Sequence, residues 1–168
     1  MVIDDSQSIL RCTNKIYLAD LLRSHRLPVP ATEFLRRDRD GELERLVTTL
    51  GLPMVLKVPD GAFSKGVVKV DTVDELREES ARLLDKSALL LAQEFMYTDY
   101  DWRIGVLDGK PLYACRYYMV RKHWQIYRHG KRSQSGGFDA VPLDEVPKAV
   151  LDTAVSACAL IGKSFYGV

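Results

Sequence analysis

Residues 51–70 read Gly51-Leu52-Pro53-Met54-Val55-Leu56-Lys57-Val58-Pro59-Asp60-Gly61-Ala62-Phe63-Ser64-Lys65-Gly66-Val67-Val68-Lys69-Val70. Two short apolar runs flank a small, glycine-containing loop, which is the pattern of two antiparallel strands, Met54–Val58 and Val67–Val70. Gly51 and Pro53 stop the segment before them. Inside the first run Lys57 stands between Leu56 and Val58. In a mostly buried strand an ammonium needs an anionic partner; on an edge strand it simply faces water. The loop closes on Ser64-Lys65-Gly66. A small loop of this kind can lay backbone N–H groups over phosphates while Lys65 adds charge, and it is equally the composition of an ordinary hairpin loop.

The elements on either side follow from periodicity. Upstream, Leu43, Leu46, Val47 and Leu50 keep the i, i+3, i+4, i+7 spacing of a helix that ends at Gly51. Thr32–Arg37 reads as a short strand, and Leu27-Pro28-Val29-Pro30 as an extended connection. Thr13 is the expected cap of a first helix running to about Ser24. Downstream, Thr72-x-x-Glu75 is a capping box, and the helix it opens turns Leu76, Ser80, Leu83 and Leu84 inward. Ala88–Phe95 is the most apolar segment and reads as a central strand. A meander follows, in which Trp102, Ile104 and Val106 alternate with Arg103, Gly105 and Leu107. Asp108-Gly109 signals a type I′ turn, Pro111–Val120 returns, and His123–Arg128 is the expected third strand. The last helix spans about Asp144–Ile161, and Phe165–Val168 reads as the start of another strand. The fold class is α+β, with two small lobes meeting near Gln93–Tyr97.

Composition narrows the functions. The chain has 168 residues, 46% hydrophobic and 28% charged, the profile of a globular protein of about one domain. Its 24 Lys plus Arg against 23 Asp plus Glu leave a net charge of +1, no footprint for nucleic acid or an anionic membrane. No apolar run reaches the roughly 18–20 residues that span a bilayer, and Met1–Leu10 is acidic rather than a signal peptide. Cys12, Cys115 and Cys158 are odd in number and far apart, which fits free thiols in the cytoplasm. Gly162-Lys163-Ser164 is not a phosphate loop, because Ala157 stands where a glycine is needed and a helix precedes it. His25, His123 and His129 lack metal-ligand spacing. Arg121, Lys122, Arg128, Lys131 and Arg132 interleave with Trp124 and Tyr127; near-neutral net charge favours a phosphate- or substrate-facing loop there over a single-strand nucleic-acid site.

Gln93-Glu94-Phe95 closes the apolar strand, where backbone groups can meet an adenine edge between apolar side chains. Asp101 can accept from ribose hydroxyls and Arg103 can clamp a phosphoryl group or a carboxylate; a turn acid and a surface arginine are the plain alternatives. In order along the chain come Asn14-Lys15, Leu27–Thr32, Gly51–Lys57, Ser64–Val67, Ala92–Phe95, Asp101–Val106 and Gly167-Val168. This series resembles the ATP-grasp superfamily and, within it, the RimK-like carboxylate–amine ligases, over essentially the whole chain.

The resemblance implies a two-lobed ATP-grasp fold truncated at the C-terminus: a leading helix and connection over residues 1–30, a first lobe over 31–93 and an incomplete second lobe over 94–168. It implies that Lys15 and Lys57 bind the phosphates of ATP, that Ser64, Lys65 and Gly66 cover them, and that Gln93, Glu94 and Phe95 form the adenine-binding hinge. Asp101 would hold the ribose, and Arg103 would face the reacting phosphoryl group or the acceptor. The implied reaction is attack of a substrate carboxylate on the γ-phosphate, giving an acylphosphate and ADP, followed by displacement of phosphate by an amine. Mg2+ would bridge the phosphates, with its ligands expected beyond Val168, so that this length of chain would be inactive alone. The expected partners are ATP, a carboxylate and an amine acceptor, with no nucleic acid and no membrane. A non-catalytic nucleotide-sensing or scaffold module is the alternative. His123–Arg128 departs from the Arg-rich or Asn-containing stretch usual in the family.

Overall fold

The structure is a computed structural model that describes residues 5–37, 41–60, 66–128 and 134–168. In chain order its helices are α1 (Ser6–Thr13), α2 (Lys15–Ser24), α3 (Glu42–Leu50), α4 (Val73–Leu84) and α5 (Lys148–Ile161). The strands are β1 (Thr32–Arg36), β2 (Met54–Lys57), β3 (Val67–Val70), β4 (Leu89–Glu94), β5 (Tyr100–Leu107), β6 (Lys110–Tyr118), β7 (Tyr127–Arg128), β8 (Gln134–Ser135), β9 (Phe138–Val141) and β10 (Phe165–Gly167). Two compact units share them. One is built from residues 13–23 and 28–96; the other contains residues 97–168 together with 24–27 and the segment before residue 13.

In the unit holding β1–β4 the strand order is β1-β4-β2-β3, with every neighbour antiparallel. Alternation then sorts the side chains. Leu35, Met54, Leu56, Val70, Leu90 and Ala92 join Leu46 of α3 with Leu76 and Leu83 of α4 in one buried cluster. Each Leu, Met or Val side chain among them contributes roughly 1.5–3 kcal/mol by leaving water. The opposite face carries Thr32, Val55, Lys57, Lys69, Leu91 and Gln93, because these residues are register partners of one another across the four strands. β2 lies between β3 and β4, so Lys57 is on an interior strand, and the edge-strand alternative falls away.

The second unit repeats the plan with the order β10-β5-β6-β9, again antiparallel throughout. Ile104, Val106 and Ala114 meet Val146, Ala154 and Cys158 in its core. That alternation leaves Asp101, Arg103, Gly105, Cys115, Tyr117 and Gly167 on the other face. Asp108 and Gly109 both have positive φ, 46° and 73°, as a type I′ turn requires.

Four expectations are corrected. Asn14, not Thr13, caps α2: its Oδ1 accepts from the N–H groups of Ile16 at 2.9 Å and Tyr17 at 3.1 Å. Residues 6–13 form a separate helix that periodicity did not reveal, with Asp5 accepting from the Ser8 N–H at 2.9 Å. His123–Arg128 is not the third meander strand. Only Tyr127–Arg128 is extended there, paired with β8 in a two-stranded ribbon, and β9 takes the place beside β6. The last helix begins at Lys148, since Pro147 stands at its cap and a short 3-10 turn occupies Leu143–Glu145.

Candidate functional site

The site residues fall into two groups, one in each unit. In the first, Lys57 is half-buried at the end of β2, and its Nζ donates to Gln93 Oε1 at 2.5 Å. Gln93 lies on the neighbouring strand β4, and its Nε2 donates to Thr32 Oγ1 at 2.9 Å; the Thr32 hydroxyl donates to the Pro30 carbonyl at 2.8 Å. The amide of Gln93 is thus held with its oxygen toward the ammonium. An amide carries no charge, so this bond orients the ammonium without neutralising it.

Lys15 opens α2 beside the start of the loop. Its N–H donates to the Pro59 carbonyl at 3.1 Å and its Nζ to the same oxygen at 3.3 Å. Asn14 Nδ2 donates to Asp60 Oδ1 at 3.1 Å, fixing the helix start to the loop entrance. Burial pushes the Lys15 ammonium below the ordinary lysine value, and the nearby Asp60 charge pulls it partly back. The far end of the loop is set by Gly66, whose carbonyl accepts from Val58 N–H at 3.0 Å. Its φ is +70°, and a Cβ there would come within 2.4 Å of Val58 Cγ2, so only glycine fits. Ser64 and Lys65, expected to cover phosphates, lie outside the described residues.

Glu94 turns back on its own unit: its Oε1 accepts from the Ala31 N–H at 2.7 Å. Phe95 follows, where the chain leaves the strand, and the Nζ of Lys69 sits 5.0 Å from its ring centre. Lys69 also forms an ion pair with Asp71, and its side chain is only 17% exposed. Sequence reasoning missed Lys69. The signal was present, because antiparallel pairing of Lys57 with Val67 puts the residue two further on, Lys69, on the same face as Lys57.

In the second unit Asp101 and Arg103 stand on one face of β5. Thr98 Oγ1 donates to Asp101 Oδ1 at 3.2 Å, and Arg103 Nη1 donates to the Gly167 carbonyl at 2.9 Å. The Arg103 guanidinium also lies 5.8 Å from the centre of the Tyr117 ring. On the opposite face Arg116 grips Asp139 through Nε at 3.1 Å and Nη2 at 2.5 Å, which ties β6 to β9 and holds the Asp139 carboxyl below its ordinary range. Burial pushes the Cys158 thiol up to about 11, so it is no thiolate nucleophile at neutral pH. No group of three or more His, Cys, Asp or Glu side chains that could hold a metal ion occurs among the described residues. No helix among them is long and apolar enough to cross a membrane.

No family model matches the chain. It is 27% identical over 175 aligned residues to the alpha-aminoadipate–LysW ligase LysX of Saccharolobus solfataricus, covering 99% of this chain and 59% of that protein. It is 26% identical to the probable alpha-L-glutamate ligase of Rhodopirellula baltica, over 98% of this chain and 39% of that one. Among solved structures, the D-alanine–D-alanine ligase of Bacillus anthracis superposes with a TM-score of 0.76 at 17% identity, covering 98% of this chain and 54% of its own. The ATP-grasp ligase PsnB, solved with a minimal precursor, gives 0.71 at 22%, covering 99% and 49%. The chain therefore spans between about two fifths and three fifths of the length of these relatives. Its class is set by the two antiparallel sheets and these likenesses together: the fold is that of the ATP-grasp ligases. These likenesses agree with the resemblance of the chain to the ATP-grasp superfamily, and the likeness to an alpha-L-glutamate ligase with its resemblance to the RimK-like carboxylate–amine ligases.

Proposed function

We propose that this chain is the nucleotide-binding core of an ATP-dependent carboxylate–amine ligase that works through an acylphosphate. The observation that carries the reading is the position of Lys57, a half-buried ammonium on an interior strand, one of whose hydrogen bonds goes to the neutral amide of Gln93. Such a cation is suited to a polyphosphate. The ligase relatives, and a neighbour solved in complex with ATP, support it.

In this reading Lys57 and Lys15 hold phosphates, Gly66 with Ser64 and Lys65 closes over them, and Gln93, Glu94 and Phe95 receive the adenine. Because the Glu94 carboxylate is bonded to Ala31, the backbone after β4 rather than that side chain meets the base. Asp101 holds the ribose. Arg103, oriented by the Gly167 carbonyl, clamps the transferring phosphoryl group or the carboxylate acceptor. The residues bind, orient and neutralise charge; none forms a covalent intermediate. Carboxylate oxygen attacks the γ-phosphorus, ADP leaves, and an amine then expels phosphate to form the amide. Mg2+ belongs to this chemistry and accompanies ADP in a PsnB complex, whereas the described residues form no metal centre for it.

Nucleotide titration tests the reading. ATP binds the wild-type chain, and Lys57→Ala weakens that binding by about tenfold to a hundredfold, the usual cost of losing a hydrogen bond to a charged group. Absence of ATP and ADP binding, or a Lys57→Ala chain that binds as well as wild type, would overturn it. Catalysis separates the ligase from a nucleotide-sensing or scaffold module: the longer protein forms ADP and an amide in step, while a sensor binds ATP without turning it over.

A further inference from the structure

We propose that Lys69 is a base-contacting residue of the nucleotide site and that, with Phe95, it forms a cation-capped aromatic wall for the nucleobase. The proposal deepens the nucleotide reading above and rests on it. Lys69 stands on the same sheet face as Lys57 and Gln93: Val55 of β2 pairs with Lys69 on one side and with Gln93 on the other. Only 17% of its side chain is exposed, against 58% for its ion-pair partner Asp71. A lysine this far withdrawn from water needs a structural or a ligand-binding reason.

The two lysines of this face have chemically different partners. Lys57 donates to an amide, a bond that does not offset its charge. Lys69 is paired with a carboxylate, which offsets part of its charge and occupies only one of its three donors. An ammonium already paired with a carboxylate attracts a triphosphate less than an unpaired one would, yet it still donates to a neutral acceptor such as a ring nitrogen of a base. Its position agrees, since Nζ lies 5.0 Å from the centre of the Phe95 ring, at the strand exit rather than at the loop where Lys15 and Gly66 sit. The cation holds the ring by its quadrupole and fixes the surface against which a flat base can stack. Lys57 therefore serves the phosphates and Lys69 the base.

Comparing ATP with adenosine, which lacks phosphates, tests the division of labour. Dissociation constants are measured for both ligands by calorimetry or ligand-observed NMR, with wild type, Lys69→Met, Lys69→Arg and Lys57→Ala. Lys69→Met weakens ATP and adenosine by the same factor, about tenfold, and Lys69→Arg recovers part of the loss. Lys57→Ala weakens ATP while leaving adenosine within about twofold. In a Phe95→Leu background the Lys69→Met loss shrinks, because the two side chains act as one wall. A Lys69→Met loss confined to ATP would make Lys69 a phosphate ligand and overturn the proposal. A lowered melting temperature with both affinities unchanged, or an unfolded Lys69→Met beside a Lys69→Arg that discriminates nothing, would make it a purely structural residue and overturn it too. If wild type binds neither ligand, the nucleotide reading itself fails and takes this one with it; in the other cases ATP binding stands and only the role of Lys69 falls.

Discussion

Lys15 illustrates how burial of one side chain sets the pH at which its charge is lost. Desolvation disfavours the ammonium, so Lys15 gives up its proton at a lower pH than an ordinary lysine, with Asp60 opposing the shift. If Lys15 holds a phosphate, ATP affinity falls as the pH rises through that lowered value, while an arginine, charged throughout, keeps its affinity. Measuring ATP dissociation constants from about pH 7 to about pH 10 for wild type and Lys15→Arg checks this: the wild-type curve declines first. Superimposable curves would remove Lys15 from the phosphate site. The same scale shows what a sequence discloses. Lys57 stood out because an ammonium between Leu56 and Val58 is chemically anomalous. Lys69 did not, because its neighbours in sequence are valines at the end of an unremarkable strand, and its significance arises only from Val55, Gln93 and Phe95, brought beside it by pairing.

Among the elements, the β2–β3 pair depends most sharply on one small residue. Gly66 combines a left-handed backbone with contact against Val58, so Gly66→Ala incurs both a conformational and a steric cost. The expected loss of unfolding free energy is about 2–4 kcal/mol, read from urea denaturation. Val58→Ala in the same chain relieves the steric part only, so the double variant is less destabilised than the sum of the singles. A fully additive pair would mean that the two do not meet. Strands β1–β6 were legible in the sequence because alternation, turn residues and apolar runs agreed there. The third meander strand was misplaced because its determinants are not local. Asp139 faces Arg116 across the ladder and is held by two guanidinium hydrogen bonds and by the Tyr118 hydroxyl at 3.2 Å. Gly136 passes so close to the Tyr118 carbonyl that a Cβ would lie 1.8 Å from it, a constraint that composition does not announce.

At the scale of the whole chain, the two sheets are built on one plan, four antiparallel strands with helices on one face, and each takes segments from distant parts of the sequence. Residues 6–13 pack with the unit of α5 and β10: Arg11 donates to the carbonyls of Leu160 and Ile161 at 2.9 and 2.8 Å, closing the end of a helix about 150 residues away. No periodicity in eight residues encodes a partner at that distance, which is why α1 escaped notice while the motif order still disclosed the fold. β10 is held by the same device. Ser8 Oγ and the Tyr166 hydroxyl are hydrogen-bonded at 2.7 Å, and Ile104 exchanges two backbone hydrogen bonds with Val168 at 2.7 and 2.9 Å. Since Arg103 is oriented by Gly167 in that three-residue strand, peeling of β10 is the event that would release it. Solvent deuterium can time that event. The Ile104 amide takes up deuterium faster in Tyr166→Phe than in wild type, while Leu91 and Ala92 of the other sheet keep their rates. Equal rates at Ile104 would mean that Ser8 does not pin the strand. An N-terminal helix with no residue in the candidate site would thereby set the rhythm on which Arg103 can turn.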